Sequence, residues 1–371
     1  MSGGAPGAIE ADVVVLGAGP AGSVAALNLA PFRRVLVIER RGLPPARTGE
    51  SLPGAARRLL ADMGLWEGFL ADEPLPCGLR RSRWGGAQAV EADALSDPDG
   101  PGWHLDRARF DARLRATAVA RGAALLCPAE PRTIARRDAL WCLDVAHAGR
   151  RLPIRAAFLI DARGRAARPH PALAARRPVD DRLVCGWIEA PAAAAGGGSA
   201  PSLIEAEAEG WWYGAHLPGG RRLLAFYTDA DLPAAVSLRS ADALLERARS
   251  RPALAPLAAE MVVGAATGIC AAHTARSERS SGPGWIAAGD AAFAMDPLSS
   301  QGLFNALYSG LAAAEAAERT FQGDASAHAT YARALHDVWQ AYRANRSAWY
   351  GLERRWAQAP FWQRRHGSEN A

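Results

Sequence analysis

Two glycine-bearing motifs, one near each end of this 371-residue chain, have the residue types and spacing to hold a phosphorylated cofactor. The first is Gly17-Ala18-Gly19-Pro20-Ala21-Gly22, directly after the apolar run Val13-Val14-Val15-Leu16. Gly17 permits a tight strand-to-helix turn, Gly19 lets the backbone approach a pyrophosphate, and Gly22 lets the helix pack on the strand. Free N–H groups at the helix start, where Pro20 and Ala21 stand, then face the phosphates. The next strand-like run ends in Glu39, 22 residues after Gly17 and followed by Arg40. A spacing of about 20 suits a carboxylate that binds ribose hydroxyls. The second motif is Gly289-Asp290, continuing to Asp296-Pro297-Leu298-Ser299-Ser300-Gln301-Gly302. One glycine-rich turn is a weak signal. The pair implies a single extended cofactor gripped by both ends of the chain, and FAD is the expectation.

These motifs need a framework. Residues 12–16 read as a buried parallel strand, because the run is apolar and β-branched without interruption. A helix is expected from about Ala21 to Leu29, and a second strand at 34–39. Residues 51–75 read as helix with loops. An amphipathic helix is expected over Leu105–Gly122, with Leu105, Phe110, Leu114 and Val119 on one face. Leu152–Asp161 reads as a strand leading into Asp161-Ala-Arg-Gly164-Arg165. Between 182 and 270, strand-like runs (183–189, 211–217, 222–228) alternate with loops, and one helix is expected at Ala241–Arg249. The Ala/Gly/Ser stretch at 192–199 reads as a surface loop. Residues 301–371 read as mostly helical. The expected fold is α/β: a discontinuous Rossmann-like FAD-binding domain from 8–75, 105–165 and 275–325, a β-rich substrate domain from 76–104 and 166–274, and a helical C-terminal segment over 326–371.

Composition bounds the remaining possibilities. The chain is 49% hydrophobic, which fits a globular protein with a sizeable core. It has no apolar run of about 18 residues, so no membrane-spanning helix is expected. The first residues lack a signal-peptide pattern, and a cytoplasmic location is expected. Five cysteines, Cys77, Cys127, Cys142, Cys185 and Cys270, are scattered without a CxxC pair, and read as reduced packed thiols. No metal site is expected. The formal net charge is +5, but no basic-aromatic motif accompanies it, so nucleic-acid binding is not inferred. All 43 basic residues are arginine; the chain contains no lysine, hence no catalytic amine or Schiff base.

Gly17–Gly22 with Glu39, Asp161–Arg165, and Gly289-Asp290 through Asp296-Pro297 together resemble the FAD fold of aromatic hydroxylases such as para-hydroxybenzoate hydroxylase. The resemblance implies that Asp290 binds the ribityl chain and that Pro297, Ser300, Gln301 and Gly302 sit against the flavin ring. A helix N-terminus there would stabilise negative charge on a reduced flavin. Arg47-Thr-Gly-Glu-Ser-Leu-Pro53, Leu105–Asp111, Gly210–Pro218 and the tail Glu353–Trp362 are similar to the branch holding tryptophan halogenases. They are more similar still to the flavoproteins that mature tryptophylquinone cofactors by hydroxylating a tryptophan in a partner polypeptide. Halogenases of this type rely on a lysine, and their Trp-x-Trp-x-Ile-Pro motif is replaced here by Tyr213 and Ala215 ahead of Pro218. Halogenation is therefore not expected. Hydroxylation needs no lysine, since the flavin carries the hard chemistry.

Arg47 and Arg107 are candidates for pyrophosphate or flavin contacts, because guanidinium pairs well with phosphate. Glu50 and Ser51 are candidates for the flavin edge, with an N-cap as the alternative for Ser51. Trp187, Trp211, Trp212 and Tyr213 are candidates for an aromatic substrate pocket, with core packing as the alternative for each. His216 is a candidate base, with a structural histidine as its alternative. The reading is an FAD monooxygenase that hydroxylates an aromatic ring, with a tryptophan of a partner polypeptide as one candidate, and NAD(P)H as transient reductant. A flavin-dependent alkene reductase or dehydrogenase and a flavin-bearing assembly chaperone without turnover are the alternatives.

Overall fold

The computed structural model describes residues 8–43, 48–93, 97–165, 170–173, 175–192, 201–261 and 266–367. Its first layer is a parallel sheet. Ile9–Leu16 lies at the centre, between Val35–Ile38 and the last residues of the long strand Arg150–Asp161. Ala124–Leu126 extends the sheet beyond Val35–Ile38, and Trp285–Ala287 extends it beyond Asp161. Val13, Val14, Val15 and Leu16 are fully buried, as an uninterrupted apolar run covered on both faces must be.

Helix Pro20–Leu29 follows the central strand with Gly19 as N-cap and Pro20 in the first turn, where its missing N–H costs nothing. It packs between helices Arg107–Ala120 and Gly302–Phe321. Asp106 caps the former, accepting the Arg109 N–H at 3.0 Å. Phe110 and Leu114 of that helix are buried, and the face continues through Ala118; Val119 instead points outward, 46% exposed. Five residues advance a helix by 1.4 turns, so Val119 cannot share the stripe with Leu114. The helix also begins two residues later than the sequence pattern implied, at Arg107.

A second sheet of seven strands covers the far side of the cofactor motifs. Its order is Ala266–Ala271, Leu183–Pro191, Arg221–Asp229, Gly210–Leu217, Ser202–Glu207, Leu79–Arg83, Val90–Asp93. All neighbours are antiparallel except Ser202–Glu207 with Leu79–Arg83. One face carries Cys185, Trp187, Trp211, Tyr213 and Tyr227. The other packs on helices Ala241–Arg249 and Ala255–Glu260 through Trp212, Leu224, Phe226, Leu244 and Leu257. Period-2 alternation puts successive residues of one strand into different cores.

Sequence reasoning missed the strands Ala129–Arg137 and Leu140–His147, which run antiparallel into the first half of Arg150–Asp161. The turn between them is Asp138-Ala139, both at positive φ (47° and 66°). That conformation normally carries Asn-Gly or Asp-Gly, and an alanine in its place hides the hairpin signal. The C-terminal residues form helices Ala327–Leu352 and Pro360–His366. Trp362 of the last helix is fully buried, and its indole N–H donates to the Glu207 carbonyl at 2.9 Å. No described helix is long and apolar enough to cross a membrane.

Candidate active site

The first turn after the central strand is built on local necessity. Gly17 has φ +98°, a region that side chains disfavour. A Cβ on Gly22 would lie 1.9 Å from the Gly17 carbonyl oxygen, so only glycine permits this helix–strand contact. Gly19 is different: nothing protein-borne lies within 4 Å of where its Cβ would stand. The space in front of Gly19 is open, as a backbone surface meant to meet a pyrophosphate must be. Glu39 sits at the edge of this space, its carboxylate held by the Ala18 N–H at 2.8 Å and the Arg41 N–H at 2.9 Å.

The second motif closes the other side. Gly289 has φ +59°, and its N–H donates to the Ser309 hydroxyl at 2.8 Å. Asp290 pairs with Arg165 at 3.3 Å. Arg165 also donates to the His273 and Met295 carbonyls at 2.7 and 2.8 Å, so it ties three segments together around the aspartate. Asp296 is fully buried and caps the turn Pro297–Ser299 by accepting the Leu298 N–H at 3.0 Å. Helix Gly302–Phe321 starts immediately beyond, with its free N–H groups at the cleft.

These parts line one cleft of about 710 Å³, within the size range of cofactor and ligand sites. Gly17, Gly19, Pro20, Ala21, Glu39 and Arg40 line it at the first turn. Glu50, Ser51, Arg107, Asp290, Pro297, Ser300 and Gly302 line its middle, and Trp187, Trp211 and Tyr213 its far wall. Open space at Gly19, a fixed carboxylate at Glu39 and a helix N-terminus at Gly302 fit an extended dinucleotide. Among the expected cofactor residues, Gly22 serves packing, and Gln301 is exposed and does not line the cleft. Arg47 lies outside the described residues.

Arg107 is not a solvated surface arginine. It donates to the Gly49 carbonyl at 2.5 Å and pairs with Asp111 at 3.2 Å, bracing the loop that presents Glu50. Ser51 caps no helix; it pairs with His104 in a short strand. Glu50 is buried, and that burial pushes its carboxyl above the usual range even though Tyr213 hydrogen-bonds to it. Burial likewise pushes the Tyr213 hydroxyl well above its ordinary value. The Tyr213 oxygen also meets His104 Nε2 at 3.3 Å, while His104 Nδ1 meets the His216 carbonyl at 2.8 Å. A carbonyl only accepts, so Nδ1 carries a proton. Glu50, Tyr213 and His104 thus lie next to one another, with the 3.3 Å contact joining the last two; sequence reasoning found Glu50 and Tyr213 and missed His104.

One expected pocket residue, Trp212, and the candidate base, His216, do not reach the cleft. Trp212 stacks on Phe226 with ring centroids 4.7 Å apart, on the opposite face of the sheet. His216 is half-buried on that same face, opposite Arg222, and burial lowers its pKa. Both follow from strand alternation: Trp211 and Tyr213 point to the cleft, so Trp212 and His216 cannot. Tyr227, not anticipated, completes the aromatic wall and stacks on Trp211 at 3.9 Å.

Comparison with known proteins places this geometry. No protein-family model matches the chain. A protein assigned as an FAD-dependent oxidoreductase, LodB of Marinomonas mediterranea, is 28% identical over 368 residues, covering 96% of each chain. Among solved structures, the peptidyl tryptophan dihydroxylase QhpG, essential for tryptophylquinone cofactor biogenesis, is 27% identical with a TM-score of 0.75. It matches over 96% of this chain and 78% of its own. Over nearly its whole length the chain is therefore similar to FAD-dependent oxidoreductases and hydroxylases. The myxobacterial chondrochloren halogenase CndH shares the fold, with TM-score 0.84 over 96% of this chain and 86% of its own, at 22% identity. The chain therefore combines the expected α/β fold with an added β-rich sheet and a helical C-terminus.

Proposed function

We propose that the chain is an FAD monooxygenase that hydroxylates an aromatic ring, and that the ring is a tryptophan side chain of a partner polypeptide. The reading is carried by the composition of the cleft: dinucleotide motifs at one end, and Trp187, Trp211, Tyr213 and Tyr227 at the other. Similarity to QhpG and LodB supports it, and so does the lack of any lysine to handle activated halide. When bound, reduced FAD supplies the activation of O2 for oxygen transfer to an electron-rich ring. NAD(P)H is the proposed transient reductant. In this reading segments 76–104 and 166–274 form the substrate domain.

The chain's own residues do the rest. The aromatic wall holds an indole by stacking and edge contacts and keeps water from the reacting ring. Glu50, whose carboxyl burial pushes above the usual carboxylate range, stands beside Tyr213, and Tyr213 meets His104 Nε2 at 3.3 Å. These groups can collect the proton lost when the hydroxylated ring regains aromaticity. Arginine on the surface steers an acidic polypeptide, an effect that salt weakens.

The test is incubation of FAD-loaded protein with NADH or NADPH, O2 and the polypeptide encoded beside it. The expected result is a gain of about 16 or 32 Da on one tryptophan, because each added oxygen contributes 16. Free tryptophan should react poorly, since it lacks the remote contacts that position the ring. Turnover of a small phenol with no reaction on any polypeptide would remove the polypeptide reading alone. Alkene reduction without O2 uptake, or no substrate-stimulated NAD(P)H oxidation at all, would remove the monooxygenase.

A further inference from the structure

Cys185 and Cys270 lie 85 residues apart in sequence and side by side in the second sheet. Strands Leu183–Pro191 and Ala266–Ala271 run antiparallel with Cys185 directly opposite Cys270. The Ala272 N–H donates to the Leu183 carbonyl at 3.0 Å, and two residues further along the same ladder stands the cysteine pair, again in hydrogen-bonded register. Such pairs hold their Cα atoms about 5.5 Å apart, inside the range of roughly 4.4–6.8 Å that disulfides require. Their Cβ atoms stand about 5 Å apart, slightly more than a disulfide needs, so bridging requires a small inward shift. Ala266–Ala271 is the edge strand, paired on one side only, and can make that shift.

Both thiols line the cleft. Their environments are unequal. The neighbouring Cys185 thiol brings the Cys270 pKa down to about 7. Burial pushes Cys185 well above its ordinary value. Exposed Cys270 is therefore the more readily ionised sulfur, and its neighbour is a buried thiol within reach, the arrangement of an attacking and a resolving cysteine.

We propose that Cys185 and Cys270 form a reversible dithiol–disulfide couple on the cleft wall, oxidised by hydrogen peroxide. The Cys270 thiolate attacks one peroxide oxygen, the O–O bond breaks, and hydroxide leaves and takes a proton to become water. Cys270 is then a sulfenic acid. The Cys185 sulfur attacks it, the S–O bond breaks, and the second water leaves with the Cys185 proton. Two thiols and one peroxide give one disulfide and two waters. A small thiol such as dithiothreitol or glutathione reverses the bridge by exchange, and a bridge held under strain on an edge strand is readily reduced.

The test reads thiols in the FAD-loaded protein, not turnover, so its outcome is separable from that of the hydroxylation reading. After treatment with hydrogen peroxide, two thiols per chain should disappear, and non-reducing peptide mapping should recover the 185 and 270 peptides linked. Dithiothreitol should restore both thiols. Before oxidation, the alkylation rate of Cys270 should rise with pH around a midpoint of about 7. In Cys185→Ser the sulfenic acid at Cys270 should persist and be trapped by dimedone; in Cys270→Ser, Cys185 should stay reduced. Cys270 oxidising in the wild-type chain with no 185–270 link, or peroxide consuming only Cys77, Cys127 or Cys142, would overturn the proposal without recourse to either variant.

Discussion

Tyr350 donates its hydroxyl to the Asp296 carboxylate at 2.8 Å, reaching from a C-terminal helix to the turn beside the cofactor cleft. The same oxygen accepts the Trp211 indole N–H at 3.2 Å. One phenol thus couples the aromatic wall to the turn at Pro297. Tyr350→Phe removes both bonds and leaves Asp296 with the Leu298 N–H and Arg346. The expected loss is about 1.5–3 kcal/mol, the range for a hydrogen bond to a charged group. Urea unfolding measures it. FAD affinity should fall as well, and unchanged values of both would show that the turn is held without Tyr350.

Gly19 and Gly22 should separate cofactor binding from folding. Gly19→Ala adds a methyl where the protein has nothing within 4 Å, so its unfolding temperature without FAD should match the parent. Its FAD affinity should drop at least about tenfold, some 1.4 kcal/mol. Gly22→Ala forces a methyl against the Gly17 carbonyl, and overpacking of this kind costs about 1–3 kcal/mol or more. A Gly19→Ala protein that retains FAD normally would place the pyrophosphate elsewhere.

Neighbouring tryptophans should behave oppositely. Trp212→Ala empties the core under the sheet and should destabilise by about 3–5 kcal/mol, with KM for the aromatic substrate unchanged where the protein remains folded. Trp211→Phe keeps most of the packing volume and should raise KM. Steady-state kinetics beside thermal unfolding distinguishes the two.

How much of this was readable in sequence depended on distance along the chain. The Gly17–Gly22 turn encodes its geometry within six residues, and Glu39 follows at a fixed interval, so this end of the cleft was legible. The Gly289–Gly302 segment was legible for the same reason. The far wall was half legible: a run of Trp211, Trp212 and Tyr213 announces aromatic surface, but which faces the cleft depends on the phase of the strand. His104 and the Cys185–Cys270 pair were invisible, because they are set by register between strands far apart in sequence. His104 reaches Tyr213 only because the short strand Gly102–His104 lies beneath the second sheet.

Acid should loosen the C-terminal helix. Hydrogen bonding from Arg364 holds the Asp231 pKa down at about 2, below the usual carboxylate range. A depressed carboxyl contributes stability above its unfolded pKa and loses it as pH falls through the folded value. Docking of Pro360–His366 should therefore weaken between about pH 4 and 2, as read by hydrogen exchange in that helix. Asp231→Asn should remove that part of the profile, and an unchanged profile would refute the assignment.

No halogenated product should form when FAD-loaded protein, a reductant, O2 and chloride or bromide are combined with an aromatic acceptor. The chain has no lysine to carry activated halide, although its fold matches that of CndH. Mass spectrometry decides the point, and any chlorinated or brominated product would overturn it.

The contact between helices Pro20–Leu29 and Gly302–Phe321 has a consequence for synthesis. A Cβ on Gly310 would meet the Ala21 carbonyl oxygen at 2.5 Å, so the two helices touch backbone to backbone where the cofactor cradle closes. A ribosome delivers the second helix some 280 residues after the first, roughly 15–60 s at ordinary elongation rates. Throughout that interval the first helix, buried on nearly every side in the finished protein, has only part of its shelter. Nascent chains halted before residue 302 should bind holdase chaperones and retain no flavin, so the cradle is complete only once translation is nearly finished.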